Sequence, residues 1–322
     1  MISTPTERSL CWPWQLRRRS VLGINARNIG FLLELNPRGF YPALDDKVLT
    51  KRICQAHQVP VPETFVVIAR AGDLRGLSGL IGDREEFVVK PAKGAGGRGV
   101  VVVVGHNGAG FETVNGQTLS SAQLRHHITT ILSGSFSLGD RPDRAIVEQR
   151  IVTHRVFQRL AVGGTPDVRV IVYRDVPVMA MLRLPTRASR GRANLHQGAI
   201  GVGIDLQTGR TFGGVYHDRA ITVHPEMKIS IEGIEIPYWQ DSLAIAARLS
   251  AALRVGYLGV DMVLDANRGP LVLEANARPG LAIQIANRCG LLSRLERVEE
   301  RQPETLGQAY RRTVATPLPN SG

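Results

Sequence analysis

The chain has 322 residues, enough for two or three lobes with a substantial buried core. It is 43% hydrophobic and 21% charged, an ordinary globular balance that excludes a disordered chain, and no apolar run is long enough to span a membrane. The formal charge of +12 favours anionic partners, but aromatic residues make up only 5% and no nucleic-acid module is recognisable, which argues against nucleic acid as the ligand.

Residues 1–43 form a short N-terminal segment of mixed character. The triplet Arg17-Arg18-Arg19 precedes an apolar stretch that Asn25, Arg27 and Asn28 interrupt, so it does not read as an export signal and the cytoplasm is the expected location. The cysteines Cys11, Cys54 and Cys289 are odd in number, lie far apart and show no metal-ligand spacing, which fits a reducing compartment. A helix is expected around Phe31 to Leu35, ended by Asn36-Pro37-Arg38-Gly39. A second is expected from Leu44 to His57, with Asp45 and Asp46 favourable at its first turn.

Strand and helix signals then alternate. Thr64 to Ala69 reads as a strand, the 73–80 region as a helix, and Phe87-Val-Val-Lys90 as a buried strand. Lys90-Pro91 leads into Ala92-Lys93-Gly94-Ala-Gly96-Gly97-Arg98-Gly99 and a Val-rich strand at 100–104. Such a strand, glycine-rich turn and strand make a flap whose backbone amides can approach phosphate oxygens, with Lys90 as a fixed charge beside it. No helix opens after the glycines, so the pattern is neither a Walker A loop nor a dinucleotide fingerprint.

Ser121 to Leu132 reads as a helix, and Arg144 to Ile151, 168–173 and 176–184 as strands. The strand that ends at Glu148 could present backbone groups to a flat base. Asp167-Val-Arg169 begins with a charged pair. Arg169 either clamps an anion or pairs with Asp167 or another nearby carboxylate. Arg183 and the segment Arg192-Ala-Asn194-Leu-His196-Gln-Gly198 continue the basic theme. His196 reads as a hydrogen-bonded structural residue rather than a base.

A helix is expected at 239–253, followed by two apolar runs, 258–264 and 270–274, joined by the turn formers Asp265, Asn267 and Gly269. Pairing of the two runs as a hairpin brings Asp261, Glu274 and Asn276 to one spot, because side chains alternate along a strand. Two carboxylates and an amide oxygen form a hard site suited to Mg²⁺ carrying phosphate. A helix from 281 to 289 and a loose polar tail after Leu295 complete the reading. The mixture argues for an α/β or α+β enzyme with antiparallel sheets.

In combination, Lys47, Lys51, Lys90, the flap, Glu148, Asp167-Val-Arg169, Arg183, Asn194-Leu-His196, Asp261 and Glu274-Ala-Asn276-Ala-Arg-Pro-Gly280 are distinctive. The order resembles the ATP-grasp carboxylate–amine ligases, in particular the RimK-like branch and its alpha-L-glutamate ligase-like relatives. The likeness runs over about residues 20–292. It implies an ATP-grasp fold with a first lobe at 44–146, a second at 147–292, and a polar tail at 293–322. It also implies that Lys47 and Lys90 contact ATP phosphates under a flap formed by Gly94, Gly96, Gly97 and Gly99, with adenine near Glu148 and with Asp167 and Arg169 in the nucleotide site. Asp261, Glu274 and Asn276 would then hold Mg²⁺, or Mn²⁺ in its place, while Arg183, Arg192 and Asn194 face an acyl phosphate and its acceptor.

The implied reaction joins a carboxylate to an amine at the expense of ATP. The substrate would be an anionic small molecule or peptide, with glutamate suggested by the family label. The short N-terminal segment leaves room for a protein partner that completes the substrate site, and for the alternative that the chain is a nucleotide-binding scaffold with little catalysis of its own. No membrane partner is expected.

Overall fold

The computed structural model describes residues 12–301 except Ala95 and Leu138. Cys11, the Arg311-Arg312 pair and the last 21 residues of the expected tail lie outside the described residues.

Two antiparallel sheets face each other. The first contains β1 (Thr64–Ile68), β2 (Phe87–Pro91), β3 (Val101–Asn107), β4 (Gly110–Thr113), β5 (Thr118–Leu119) and β6 (Ala145–Glu148), in the order β1-β6-β2-β3-β4-β5. The second contains β7 (Asp167–Tyr173), β8 (Val176–Leu184), β9 (Ile200–Ile204), β10 (Thr211–Tyr216), β11 (Arg219–Ile221), β12 (Tyr257–Asp265) and β13 (Gly269–Asn276), in the order β11-β10-β9-β8-β7-β12-β13.

Alternation along the strands decides which residues are core. In the first sheet Phe87, Val89, Val103, Ala145 and Val147 point to one face, where they meet Leu124, Ile128 and Ile131 of the helix Ser121–Leu132. That helix opens with a reciprocal cap between Ser120 and Gln123. The intervening residues Lys90, Ile146 and Glu148 therefore turn to the opposite face, towards the second lobe.

The second sheet is covered on both faces. Val168, Val170, Val172, Leu182, Val260 and Met262 pack with the helix Trp239–Leu253 and with Ala43, Leu44 and Cys54. The helix Lys47–Ala56, placed by the sequence reading in the first lobe, thus contributes to the core of the second. Asp46 caps it, its side chain accepting from the backbone N–H groups of Val48 and Leu49, and also pairs with Arg144 of the first lobe. On the other face Ile171, Tyr173, Met179, Met181 and Tyr257 meet Leu22, Phe31 and Leu32 from the N-terminal segment, and Leu291, Leu295 and Val298 near the C-terminus.

Several expectations change, among them the strand expected from Arg144 to Ile151, which ends at Glu148. As far as Arg301 the expected tail is not loose: Leu292–Arg301 is a helix whose Leu295 and Val298 are buried. The run from Leu44 to His57 divides at Asp46 into Tyr41–Asp45 and Lys47–Ala56, and the expected helix at 281–289 contracts to Ile283–Ala286. β9, β10 and β11 form strands that the sequence reading did not assign.

Candidate active site

The end of the second sheet not covered by the N- and C-terminal segments faces the first lobe, and a cleft of about 980 Å³ lies between them. One row of cross-strand partners supplies Arg169, Asp261 and Glu274, from β7, β12 and β13. A neighbouring row supplies Arg183 and Asp167, from β8 and β7. Directly opposed residues on antiparallel strands sit close enough to interact side chain to side chain, and this is what assembles the charged cluster.

β13 reaches the cleft through an irregularity. Asp261 opposes Glu274 but Met262 opposes Val272, so one extra residue is accommodated at Leu273. Before this bulge Val272 packs in the core beneath the sheet, while after it Ala275 and Ala277 do. The bulge therefore changes the parity of the strand, and Leu273 and Glu274 both line the cleft although they are consecutive. Asn276, two residues on, shares Glu274's face, as the sequence reading expected.

Asp261 is the most heavily partnered group. Arg169 grips it through two bonds, Nε to Oδ1 at 2.7 Å and Nη2 to Oδ2 at 2.6 Å. Arg183 Nη2 lies 2.9 Å from Asp261 Oδ2, and Asn276 Nδ2 donates to the same oxygen at 3.1 Å. Burial alone would raise the Asp261 carboxyl, but the guanidinium groups of Arg169 and Arg183 outweigh it and hold it at about 2. Asp167, bound by Arg183 at 2.6 Å, is pushed up to about 6 by burial and then by the neighbouring Asp261 charge, against the pull of Arg183. The two carboxylates raise the Arg183 guanidinium despite its own burial. Arg169 thus pairs with the carboxylate across the strand rather than with Asp167 on its own strand.

The lysines divide into two groups. Lys51 and Lys90 both pair with buried Glu148, Lys51 also donating to Pro62 O and Thr64 Oγ1 at 2.8 Å each. Burial, helped by the like charge of Lys90, lowers the Lys51 ammonium even with Glu148 beside it. Lys47 instead donates to Gly94 O at 2.7 Å and lies 3.6 Å from Glu274 Oε1. Glu148 is 3% exposed, and neither it nor Lys47, Lys51 or Lys90 lines the cleft, whereas the residues that follow Glu148 do. The wall is made by Arg150, Ile151, Val152 and Thr153, with Val102 and Leu273 adding apolar surface.

That wall is fastened to the β12–β13 turn. Val152 N donates to Asp265 Oδ2 at 2.9 Å, and Ala266 N returns a bond to Val152 O at 2.7 Å. The other oxygen of Asp265 accepts from Asn267 N and Arg268 N, at 2.9 and 3.0 Å. The sequence reading took Asp265 only as a turn former. It likewise missed Asn36, whose amide joins Tyr257 O and Ala277 O at 2.7 and 3.1 Å and so ties the N-terminal segment to both strands of the carboxylate hairpin. Turn chemistry around both residues is visible in sequence, but their distant partners are not.

The flap lies across the cleft. Gly96, Gly97 and Gly99 have φ of +65°, +70° and +72°, values that favour glycine. A Cβ on Gly97 would approach Arg192 at 3.7 Å, and one on Gly96 would approach Gln197 at 3.8 Å, both in the second lobe. Gly94 is required by proximity, since a Cβ there would stand 2.3 Å from Pro91. At the flap's root Asp143 accepts from Lys93 N at 2.9 Å and Ser137 Oγ at 2.7 Å. Arg192 and Asn194 line the cleft, with Asn194 Oδ1 accepting from His196 N at 3.0 Å.

The donor set of Asp261, Glu274 and Asn276 suits a hard divalent cation, because all its donors are oxygens and Asp261 stays ionised at neutral pH. Among the described residues no group of three or more His, Cys, Asp or Glu is placed to hold a metal. The cation's remaining positions would thus fall to phosphate oxygens and water, as is usual for Mg²⁺.

Two facing antiparallel lobes, a glycine flap and a carboxylate hairpin define the ATP-grasp class. A family model described as "Sugar-transfer associated ATP-grasp" matches residues 26–300, and the chain belongs to that family. A probable alpha-L-glutamate ligase of Sodalis glossinidius (strain morsitans) is 31% identical over 126 residues, which are 39% of this chain and 31% of that protein. The match therefore spans about a third of the relative's length. Among solved structures, the ATP-grasp ligase PsnB with its minimal precursor is 14% identical, covering 84% of this chain and 63% of its own, with a TM-score of 0.43. A D-alanine–D-alanine ligase from Bacillus anthracis is 12% identical, covering 88% and 75%, with a TM-score of 0.46.

Proposed function

We propose that the chain is an ATP- and Mg²⁺-dependent ligase that joins a carboxylate to an amine through an acyl phosphate, releasing ADP and phosphate. The observation that carries this reading is the convergence, in one cleft, of the Asp261–Glu274–Asn276 oxygens, the paired Arg169 and Arg183, and a glycine flap closing from the other lobe. Membership of the ATP-grasp family and the partial likeness to an alpha-L-glutamate ligase support it.

Phosphoryl transfer to a carboxylate crowds anions together, so cationic side chains must neutralise them. Lys47 and Lys90 bind ATP phosphates in this reading, with Arg169 beside them, and Asp167 holds Arg183 in place. The adenine rests against the wall at 150–153, between Val102 and Leu273. Asp261, Glu274 and Asn276 hold the cation, which when bound supplies charge neutralisation to the phosphates. Arg183, Arg192 and Asn194 face the acyl phosphate and its acceptor, and the flap at 94–99 excludes water from a hydrolysable intermediate. The lobes divide just after β6, which ends at Glu148, two residues beyond the expected 146/147 boundary, and the acid is an anionic small molecule or peptide. Mn²⁺ replaces Mg²⁺ in the same oxygen site, and the enzyme works in the cytoplasm.

The test is ADP release measured over a panel of acids and amines. Asp261→Asn and Glu274→Gln should each reduce turnover by at least 10²-fold, since each weakens cation binding. Full activity in both variants sinks the assignment. Nucleotide binding without ADP release under any combination favours a scaffold instead.

A further inference from the structure

The cleft holds an uneven set of charges. Its three carboxylates are all engaged: Asp167 with Arg183, Asp261 with Arg169 and Arg183, and Glu274 with Lys47. Two of its guanidinium groups are not. Among the described residues Arg192 reaches only Gln197 Oε1, at 3.5 Å, and the exposed Arg190 side chain has neither a hydrogen bond nor an ion pair.

The loop that carries these arginines is rigidly built. Thr186 and Ser189 are buried and exchange bonds, Ser189 N to Thr186 Oγ1 at 3.1 Å and Thr186 N to Ser189 Oγ at 3.0 Å. Thr186 Oγ1 also donates to Gly198 O at 2.7 Å, closing the far end of the loop. Between the two arginines, Gly191 crosses the 163–164 segment backbone to backbone. A Cβ on Gly191 would stand 2.0 Å from Gly163 O, and one on Gly164 would stand 1.8 Å from Gly191 O. Such anchoring fixes the backbone from which the exposed Arg190 and the half-buried Arg192 reach the cleft.

We propose that Arg190 and Arg192 form a subsite for a second anionic group on the acid substrate, making that substrate a dicarboxylate or a phosphorylated acid without a neighbouring ammonium. The inference rests on the ligase reading above. Two guanidiniums lining one cleft favour a carboxylate or phosphate through charge-assisted bonds. A free amino acid would bring an ammonium into the same space, where every cleft carboxylate is already engaged, and would face two guanidiniums uncompensated.

The experiment uses the full chain saturated with MgADP and two matched pairs of probes that differ by an ammonium: glutarate against L-glutamate, and 3-phosphoglycerate against O-phospho-L-serine. Calorimetry should give at least tenfold tighter binding for the member of one pair that lacks the ammonium, and the pair that responds identifies the second group as carboxylate or phosphate. Arg190→Gln and Arg192→Gln should each weaken that binding about tenfold, and Arg190→Gln should change MgADP affinity less than twofold. Equal or better binding of the amino acids, no binding of any probe, or unchanged affinity in both variants overturns the subsite. Hydroxylamine trapping with ATP separates the two readings. Dianion binding through these arginines with no hydroxamate from either probe retains the subsite and removes the ligase. Hydroxamate formed only from amino acids retains the ligase and removes the subsite.

Discussion

Glu148 sits between two ammonium groups, those of Lys51 and Lys90, and is almost wholly buried. Removing it would leave two cations in a low-dielectric interior. Glu148→Ala should therefore cost about 3–5 kcal/mol, the range for breaking a buried ion pair, read as a shift in urea midpoint. Cys54 illustrates the opposite kind of burial: its thiol is pushed up to about 12 by desolvation and it has no exposed surface. Alkylation at pH 8 followed by mass spectrometry should label the half-buried Cys289 in the native protein and Cys54 only after unfolding. Appreciable native labelling of Cys54 would contradict this packing. At this scale the residue types of the site are legible in the sequence, but their partners are not. Arg169 and Asp167 look like a pair because they are two apart, yet the residue across the ladder is nearer than the one two along the same strand.

Among elements, the β12–β13 hairpin shows how local irregularity serves the site. A regular β13 would keep Glu274 on the same side as Val272, inside the core; the bulge at Leu273 turns it out. Period-two reasoning found the shared face of Glu274 and Asn276 because both follow the bulge. Asp265 anchors the turn of this hairpin to Val152, with three backbone donors on one carboxylate. Asp265→Ala should lower stability by about 1–3 kcal/mol and raise the KM for ATP more than it lowers kcat, measured by urea denaturation and steady-state ADP release. An unchanged KM would mean that the turn does not position the cleft wall.

The strands β9 and β10 escaped the sequence reading for a physical reason. Gly201, Gly203 and Gly214 break the apolar alternation because neighbours approach too closely for a Cβ: 2.7 Å from Leu195, 2.8 Å from Ala286 O and 2.8 Å from Gly201 O. The helix Leu292–Arg301 was hidden by its charges, although Leu292, Leu295 and Val298 already recur at helical spacing.

For the molecule as a whole, the two lobes meet through the cleft, through Arg144–Asp46 and through the helix that Asp46 caps. The two-lobed α+β plan was readable because the strands around Lys90, Arg169 and Asp261 are dense in β-branched residues. The sharing of the Lys47–Ala56 helix with the second lobe was not readable, since its apolar residues fit either core. A ligand held between lobes stabilises the folded state by mass action. A nonhydrolysable ATP analogue with Mg²⁺ at a hundred times its Kd should add about 2.7 kcal/mol. It should also slow proteolysis near residues 94–99, and EDTA should reverse most of both effects. Stabilisation that EDTA leaves untouched would count against a cation at Asp261 and Glu274.

Lys47 touches the base of the cover with one bond and a carboxylate of the floor with its charge. Anything that draws this ammonium towards a newcomer exchanges the lid's mooring for a bond to the occupant and bares an acidic oxygen in the same movement. Filling the chamber and shifting its roof are, for this chain, mechanically one event.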